Sequence, residues 1–178
     1  MEQKVSVWKA NLNGGLILGL IGIVYTLVIW FMDLTFNRVQ GYFFFIILIF
    51  LIFYFIRSYR NNYLNGYITF GQSVGAGVVI CLYYSIISAI FVYILYVYID
   101  PGLQAKQLAF TEEMMIKRGT PEAAMETGLS IAKKFQQPWF MSVMSIFSGV
   151  LFGTIISLIV SIFVRKEGNP LIDTPEVK

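Results

Sequence analysis

The sequence predicts an all-α membrane protein: four transmembrane helices, with an extracytoplasmic helical hairpin between the third and the fourth. Three observations predict it. Of 178 residues, 57% are hydrophobic and only 13% are charged, against roughly 25% charge in an ordinary soluble domain. Four long apolar runs carry most of that hydrophobic content. One sizeable polar segment, residues 100–138, separates the third run from the fourth. A soluble chain of this size could not enclose so much apolar surface in a single core, whereas a bilayer solvates it. Residues 1–178 are read as one membrane domain.

The first run, 12–32, has 21 residues and no charge, which matches the roughly 20 residues that cross a hydrocarbon core. It is too long for a signal-peptide core and no small-residue cleavage site follows it, so it reads as an uncleaved anchor. The second, 39–56, is dominated by Phe, Ile and Leu. The third, 74–99, and the fourth, 139–164, each have 26 residues, long enough to tilt. Trp8, Trp30 and Trp139 fall at the edges of these runs, where an amphipathic ring prefers headgroups. Residues 167–178 read as a flexible tail.

Basic residues near span ends orient a membrane protein. The N-terminal segment, the 57–73 connection and the C-terminal tail together carry 7 basic and 4 acidic residues, while the other two connections carry 6 of each. Both termini are therefore expected in the cytoplasm, and the even number of spans puts them on one side. The expected location is the inner (cytoplasmic) membrane.

Lipid offers no hydrophobic drive for helices to associate, so small residues that let backbones approach matter more. The fourth run has Ser145, Gly149, Gly153, Ser157 and Ser161 at strict i+4 spacing. The third has a matching line, Ser73, Gly77, Cys81, Ser85 and Ala89. The two stripes are predicted to pack on each other, with homo-oligomerisation through the fourth run as the alternative. Gly15 and Gly19 add a G-x-x-x-G pair to the first run. From Tyr42 to Ile56 the second run has no Gly, Ala, Ser or Thr, which places it at the periphery, against lipid or against another subunit.

The polar segment 100–138 reads as an amphipathic helical hairpin. Asp100-Pro101 looks like an N-cap followed by proline at the first helical position. Gly119 stops that helix, and Thr120-Pro121 repeats the signal. Met125, Leu129, Ala132 and Phe135 make one apolar face of the second helix, and Glu113 and Lys117 form an i,i+4 pair in the first. Two roles are open, a recognition element outside the membrane or a connector that rests on headgroups.

The sequence offers little chemistry. Histidine is absent and Cys81 is the only cysteine, which excludes His-ligand metal sites, cysteine zinc sites and imidazole catalysis. The four spans hold no Asp, Glu, Lys, Arg or His, against the pattern of a proton- or ion-coupled transporter. Adjacent Glu112 and Glu113 point about 100° apart on a helix, and Glu122 and Glu126 lack a second ligand type. The run from Gly71 to Gly77 lacks the Gly-Lys-Ser/Thr of a phosphate loop. Gln72 is the one strongly polar group just inside a span, and reads as an interfacial residue without a role or as a hydrogen-bond donor to a neighbouring helix. No catalytic residue, metal, cofactor or nucleic-acid partner is expected, and the small positive charge is read as orientation charge.

Gly66-Tyr67-Ile68-Thr69-Phe70-Gly71-Gln72 before the third span, Ile99-Asp100-Pro101 after it, and four spans in under 200 residues resemble a bacterial family of small integral membrane proteins of unknown function, mostly Gram-negative. The resemblance covers roughly residues 9–166. It implies an inner-membrane location and four spans, and it supplies no site residues. The expected role is a non-enzymatic structural or accessory subunit in the lipid bilayer, with a membrane-protein partner or a homo-oligomer; a small oligomeric channel or transporter component is the alternative.

Overall fold

Inside hydrocarbon each backbone N–H and C=O must find its partner within the protein, so long apolar runs become helices. The computed structural model describes residues 5–167 and contains four helices long and apolar enough to cross a membrane. These are α1 (Val7–Phe31), α2 (Arg38–Tyr63), α3 (Phe70–Ile94) and, after two shorter helices, α6 (Pro138–Val164). α3 continues as a single π-helical turn, Leu95–Ile99. The shorter pair is α4 (Leu103–Lys117) and α5 (Glu122–Phe135). Of the tail read as flexible, residues 168–178 lie outside the described residues.

The helices outrun the apolar runs. α1 starts at Val7 rather than 12, α2 ends at Tyr63 rather than 56, and α3 starts at Phe70 rather than 74. Helical hydrogen bonds are internal, so nothing obliges a helix to stop where hydrocarbon does. Lys9, Arg57 and Arg60 consequently belong to helices, Lys9 in the first turn of α1, Arg60 in the last turn of α2 and Arg57 one turn before it.

The breaks between helices have identifiable causes. α1 closes with Asp33 at φ 56°; its N–H and that of Leu34 bond back to the carbonyls of Trp30 and Ile29, a Schellman arrangement. The Asn37 side chain then accepts from the Val39 N–H and starts α2. Asn65 and Gly66, both at positive φ, turn the chain toward α3. Gly119, at φ 68°, ends α4 in a second Schellman motif, with Gly119 N–H on Ile116 and Thr120 N–H on Met115.

The two cap signals of the hairpin act differently from expectation. α4 starts at Leu103 with Gly102 as its cap, so Asp100 and Pro101 precede the helix. α5 starts at Glu122 with Pro121 at the cap position and no side-chain cap. The Asp100 carboxylate keeps a backbone hydrogen bond from Gly102 and also accepts from the Trp30 indole and the Lys106 ammonium, so it ties the turn before α4 to α1.

α3 is the central helix. α6 packs along one side of it and α1 along another. α2 lies outside, as its bulk predicts, yet it buries a stripe of its own, Leu48, Ile52, Ile56 and Tyr59. That stripe meets Leu18 of α1, Ile80 of α3 and Ile156 and Val160 of α6 in the main core. Its opposite face, including Tyr42, Ile46, Phe50 and Tyr54, is exposed. A second, smaller core of Leu95, Tyr96 and Leu103 joins the end of α3 to the start of α4.

Candidate functional site

The twelve small residues singled out in the sequence occupy two seams. In the α3–α6 seam Gly77 lies against Ser157, Gly153 against Cys81, and Gly149 against Ser85. A Cβ on Gly149 would stand 2.6 Å from the Cβ of Ser85, and on Gly77 or Gly153 closer still. Stepping four residues along α3 corresponds to stepping four back along α6, so the helices run antiparallel in fixed register. The same step sets Ser73 opposite Ser161 and Ala89 opposite Ser145. In the α1–α3 seam Gly15 rests on Tyr83, and a Cβ on Gly19 would stand 2.7 Å from Ile87. Gly22, beside Tyr84, and Gly14, beside Phe55 of α2, extend this face.

Hydroxyls in the α3–α6 seam mostly turn back on their own helices. Ser157 Oγ donates to the Gly153 carbonyl at 2.6 Å, Ser85 Oγ to Leu82 at 2.9 Å and Ser145 Oγ to Ser142 at 2.7 Å. Self-satisfied hydroxyls let two backbones approach without leaving polar groups bare. Ser73 and Ser161 are the exceptions: both are fully buried and neither hydroxyl has a partner among the described residues. Cys81 is buried and serves as a small apolar residue.

The segment after α2 joins three helices at one end of the bundle. Ile68 and Lys166 pair in an antiparallel bridge, with N–H···O distances of 2.9 and 3.1 Å. Arg60 Nη1 donates to the carbonyl of Val164 at 2.9 Å, the last residue of α6, where a cation also meets the negative end of the helix dipole. Thr69 and Gln72 form a reciprocal capping box that starts α3. Gln72 thus caps its own helix and does not bridge to another.

At the opposite end Asp100 ties the finish of α1 to the hairpin. Its Oδ2 accepts from Trp30 Nε1 at 3.1 Å and from Lys106 Nζ at 3.1 Å. These donors, the indole first, hold its carboxyl below the usual 3.8. Tyr96 donates to Gln107 of α4 at 2.8 Å, Gln136 donates to Thr111 at 3.2 Å, and Phe36 stacks on Phe110 at 5.3 Å. The hairpin is docked through α4. α5 has no fully buried residue; Met125, Leu129 and Ala132 are half-buried and Phe135 is exposed. Phe135 instead meets Phe140 edge-on at 5.0 Å. The short Lys117–Glu113 pair is solvent-exposed and contributes little.

Two of the surface cavities among the described residues are lined by hydroxyls and amides from more than one helix. One, of about 370 Å³, opens between α2, α3 and α6 and is lined by Tyr84, Ser88, Ser145 and Ser148 among apolar neighbours. The other, of about 250 Å³, lies between the start of α1 and the end of α2, with Asn11, Asn13, Ser58, Tyr59 and Asn62 in its wall. Sequence reading missed it, because its residues come from two helices and have no shared spacing. Among the described residues no three His, Cys, Asp or Glu side chains gather as a metal site would require.

A family model described as "Protein of unknown function (DUF4199)" matches residues 13–166. Neither a curated protein nor a solved structure matches the chain.

Proposed function

Since the chain belongs to the DUF4199 family, a family of proteins of unknown function, we propose from its architecture that it is a non-enzymatic structural or accessory subunit of a larger membrane complex. The observation that carries this reading is the use made of its polar residues. In the α3–α6 seam they serve close approach between helices, with hydroxyls bonded to their own backbones. At the two ends they lock helix to helix, through Arg60 on Val164 and Asp100 on Trp30. A partner subunit, or a second copy, would meet the outward apolar face of α2 or the hairpin.

The reading includes an orientation. Lys9, Arg57, Arg60, Arg165 and Lys166 lie at the end where α1 starts and α6 finishes, and the hairpin lies at the other. Basic residues favour the cytoplasmic side, so we read the bundle as sitting in the cytoplasmic membrane with both termini inside and α4–α5 outside. Reporter fusions after Lys178 and between 119 and 120 test this; cytoplasmic signal at the second position would sink it.

The second reading is a small oligomeric channel or transporter component, favoured by the hydroxyl-lined crevice between α2, α3 and α6. Purification in native-like lipid separates the two. An accessory subunit should carry one partner at fixed stoichiometry and show no solute flux in liposomes. Flux by the protein alone, altered by Gly149→Leu in that crevice, supports the channel and defeats the accessory role.

A further inference from the structure

The groove between the start of α1 and the end of α2 is walled by amides and hydroxyls at the edge of a membrane bundle. Two of its polar side chains are more than nine-tenths buried: Asn11 is 3% exposed and Tyr59 5%. Asn11 donates its Nδ2 to the Val7 carbonyl at 2.9 Å, and no described residue donates to its Oδ1. The Tyr59 phenol has no hydrogen-bond partner among the described residues either. Neither atom is sealed from solvent, and both residues line the groove, so the orphan groups open into it. Solvent therefore reaches both atoms; two polar atoms without a protein partner, on otherwise buried side chains that line one groove, are free to hydrogen-bond a ligand that enters it.

We propose that this groove binds the headgroup of a phospholipid that carries free hydroxyls, with Asn11 and Tyr59 as its hydrogen-bonding floor. Four features set the ligand class. Asn11 Oδ1 is an acceptor only, so the ligand must offer a donor, a hydroxyl or an ammonium. No acidic residue lines the groove, which leaves an ammonium without a counter-charge and favours the hydroxyl. Lys9 sits one turn before Asn13 on the same face of α1, where it can meet a phosphate. The deeper wall is apolar, Ile17 and Phe55, where acyl chains would continue. Depth and size agree. Asn11 to Ile17 lie roughly 6 to 15 Å along α1 from its first residue, which spans the headgroup–hydrocarbon boundary. A volume of about 250 Å³ is below the roughly 300–1,000 Å³ that encloses a drug-sized molecule, room for a headgroup and not a whole lipid.

The test uses the full chain in mild detergent, titrated with dioleoyl phosphatidylglycerol, phosphatidylethanolamine or phosphatidylcholine and read by native mass spectrometry. Phosphatidylglycerol is expected to bind about five-fold more tightly than phosphatidylcholine, one to two hydrogen bonds' worth. Tyr59→Phe removes only the orphan hydroxyl, so the fold should survive it, and it should remove most of that preference; Asn62→Ala should reduce it. Soluble glycerol 3-phosphate at equal concentration should not compete. Equal binding of the three lipids overturns the proposal, and so does a preference for phosphatidylethanolamine. Competition by glycerol 3-phosphate overturns the lipid as source. A preference lost in Lys9→Gln but intact in Tyr59→Phe and Asn62→Ala reduces the effect to surface charge and overturns it as well.

Discussion

Gly77 of α3 and Ser157 of α6 face each other with no room for a methyl group between them; a Cβ on Gly77 would fall well inside 3.0 Å of the Ser157 side chain. That pair defines the register of the most extensive helix contact in the molecule. Every fourth residue on each helix repeats it, through Cys81 with Gly153 and Ser85 with Gly149. Lipid gives helices no hydrophobic drive to associate, so the van der Waals contacts made by such close approach hold them together.

Gly77→Ala and Gly153→Ala should therefore overpack the seam and destabilise the bundle by about 1–3 kcal/mol each. Gly71 and Gly75 on the same helix have open space where a Cβ would sit, so Ala there should be neutral or slightly stabilising. Denaturant-induced unfolding in detergent, followed by circular dichroism, measures all four. Equal tolerance of Ala at all four positions would contradict the register.

Ser161→Ala should be neutral or stabilising, by up to about 1 kcal/mol, because its buried hydroxyl has no partner among the described residues and the desolvation cost disappears with it. Ser157→Ala, in contrast, removes a hydroxyl that donates to Gly153 and fills the Gly77 notch. It should cost about 1 kcal/mol or more. The ordering of the two variants in the same unfolding assay is the check.

Arg60→Gln removes the cation that donates to the final carbonyl of α6. The loss should be about 1–2 kcal/mol for a partly exposed charged hydrogen bond at a helix C-terminus. It should appear locally: hydrogen exchange near Val164 and the Ile68–Lys166 bridge should rise before global unfolding. Unchanged exchange there would show the clamp to be idle.

Asp100 makes one joint pH-dependent. Its carboxyl titrates below 3.8 because Trp30, Lys106 and the neighbouring backbone favour the charged form. The contribution is complete above the unfolded value and is lost as pH falls through the lower folded value. Acidification from pH 5 to below 3.8 should shift Trp30 emission in a Trp8→Phe, Trp139→Phe background. Asp100→Asn should abolish that shift, and its persistence would place the titration elsewhere.

Tyr96→Phe leaves Gln107 without its donor and should loosen the hairpin without melting the spans. Exchange in α4 and α5 should quicken by roughly five-fold, about 1 kcal/mol of local stability, while α3 and α6 stay protected.

Much of this fold was readable before any coordinates. Apolar run length alone marks four helices, because a span must match the hydrocarbon thickness and bond its own backbone. The i+4 small-residue spacing of Ser73 to Ala89 and of Ser145 to Ser161 was equally visible, since helical period turns spacing into a face. The hairpin's stop at Gly119 was visible because αL backbone selects glycine. Asp33 does the same work at the end of α1 with φ 56° and was not recognised, because aspartate has many other uses.

Partner choice was the part that sequence left open. Local rules make Asp100 a helix cap and Gln72 an interfacial residue of uncertain use. Folding brings Trp30, 70 residues away, to Asp100; the Thr69–Gln72 box, by contrast, is local, and its Thr-x-x-Gln signature stands in the sequence. The α1–α2 groove likewise draws Asn11 and Tyr59 from separate helices. Periodicity determines which face a residue shares along its own helix, and the matching small-residue stripes already direct α3 to α6; the register at which they meet, the end clamps and the groove depend on packing among all the helices and exist only in three dimensions.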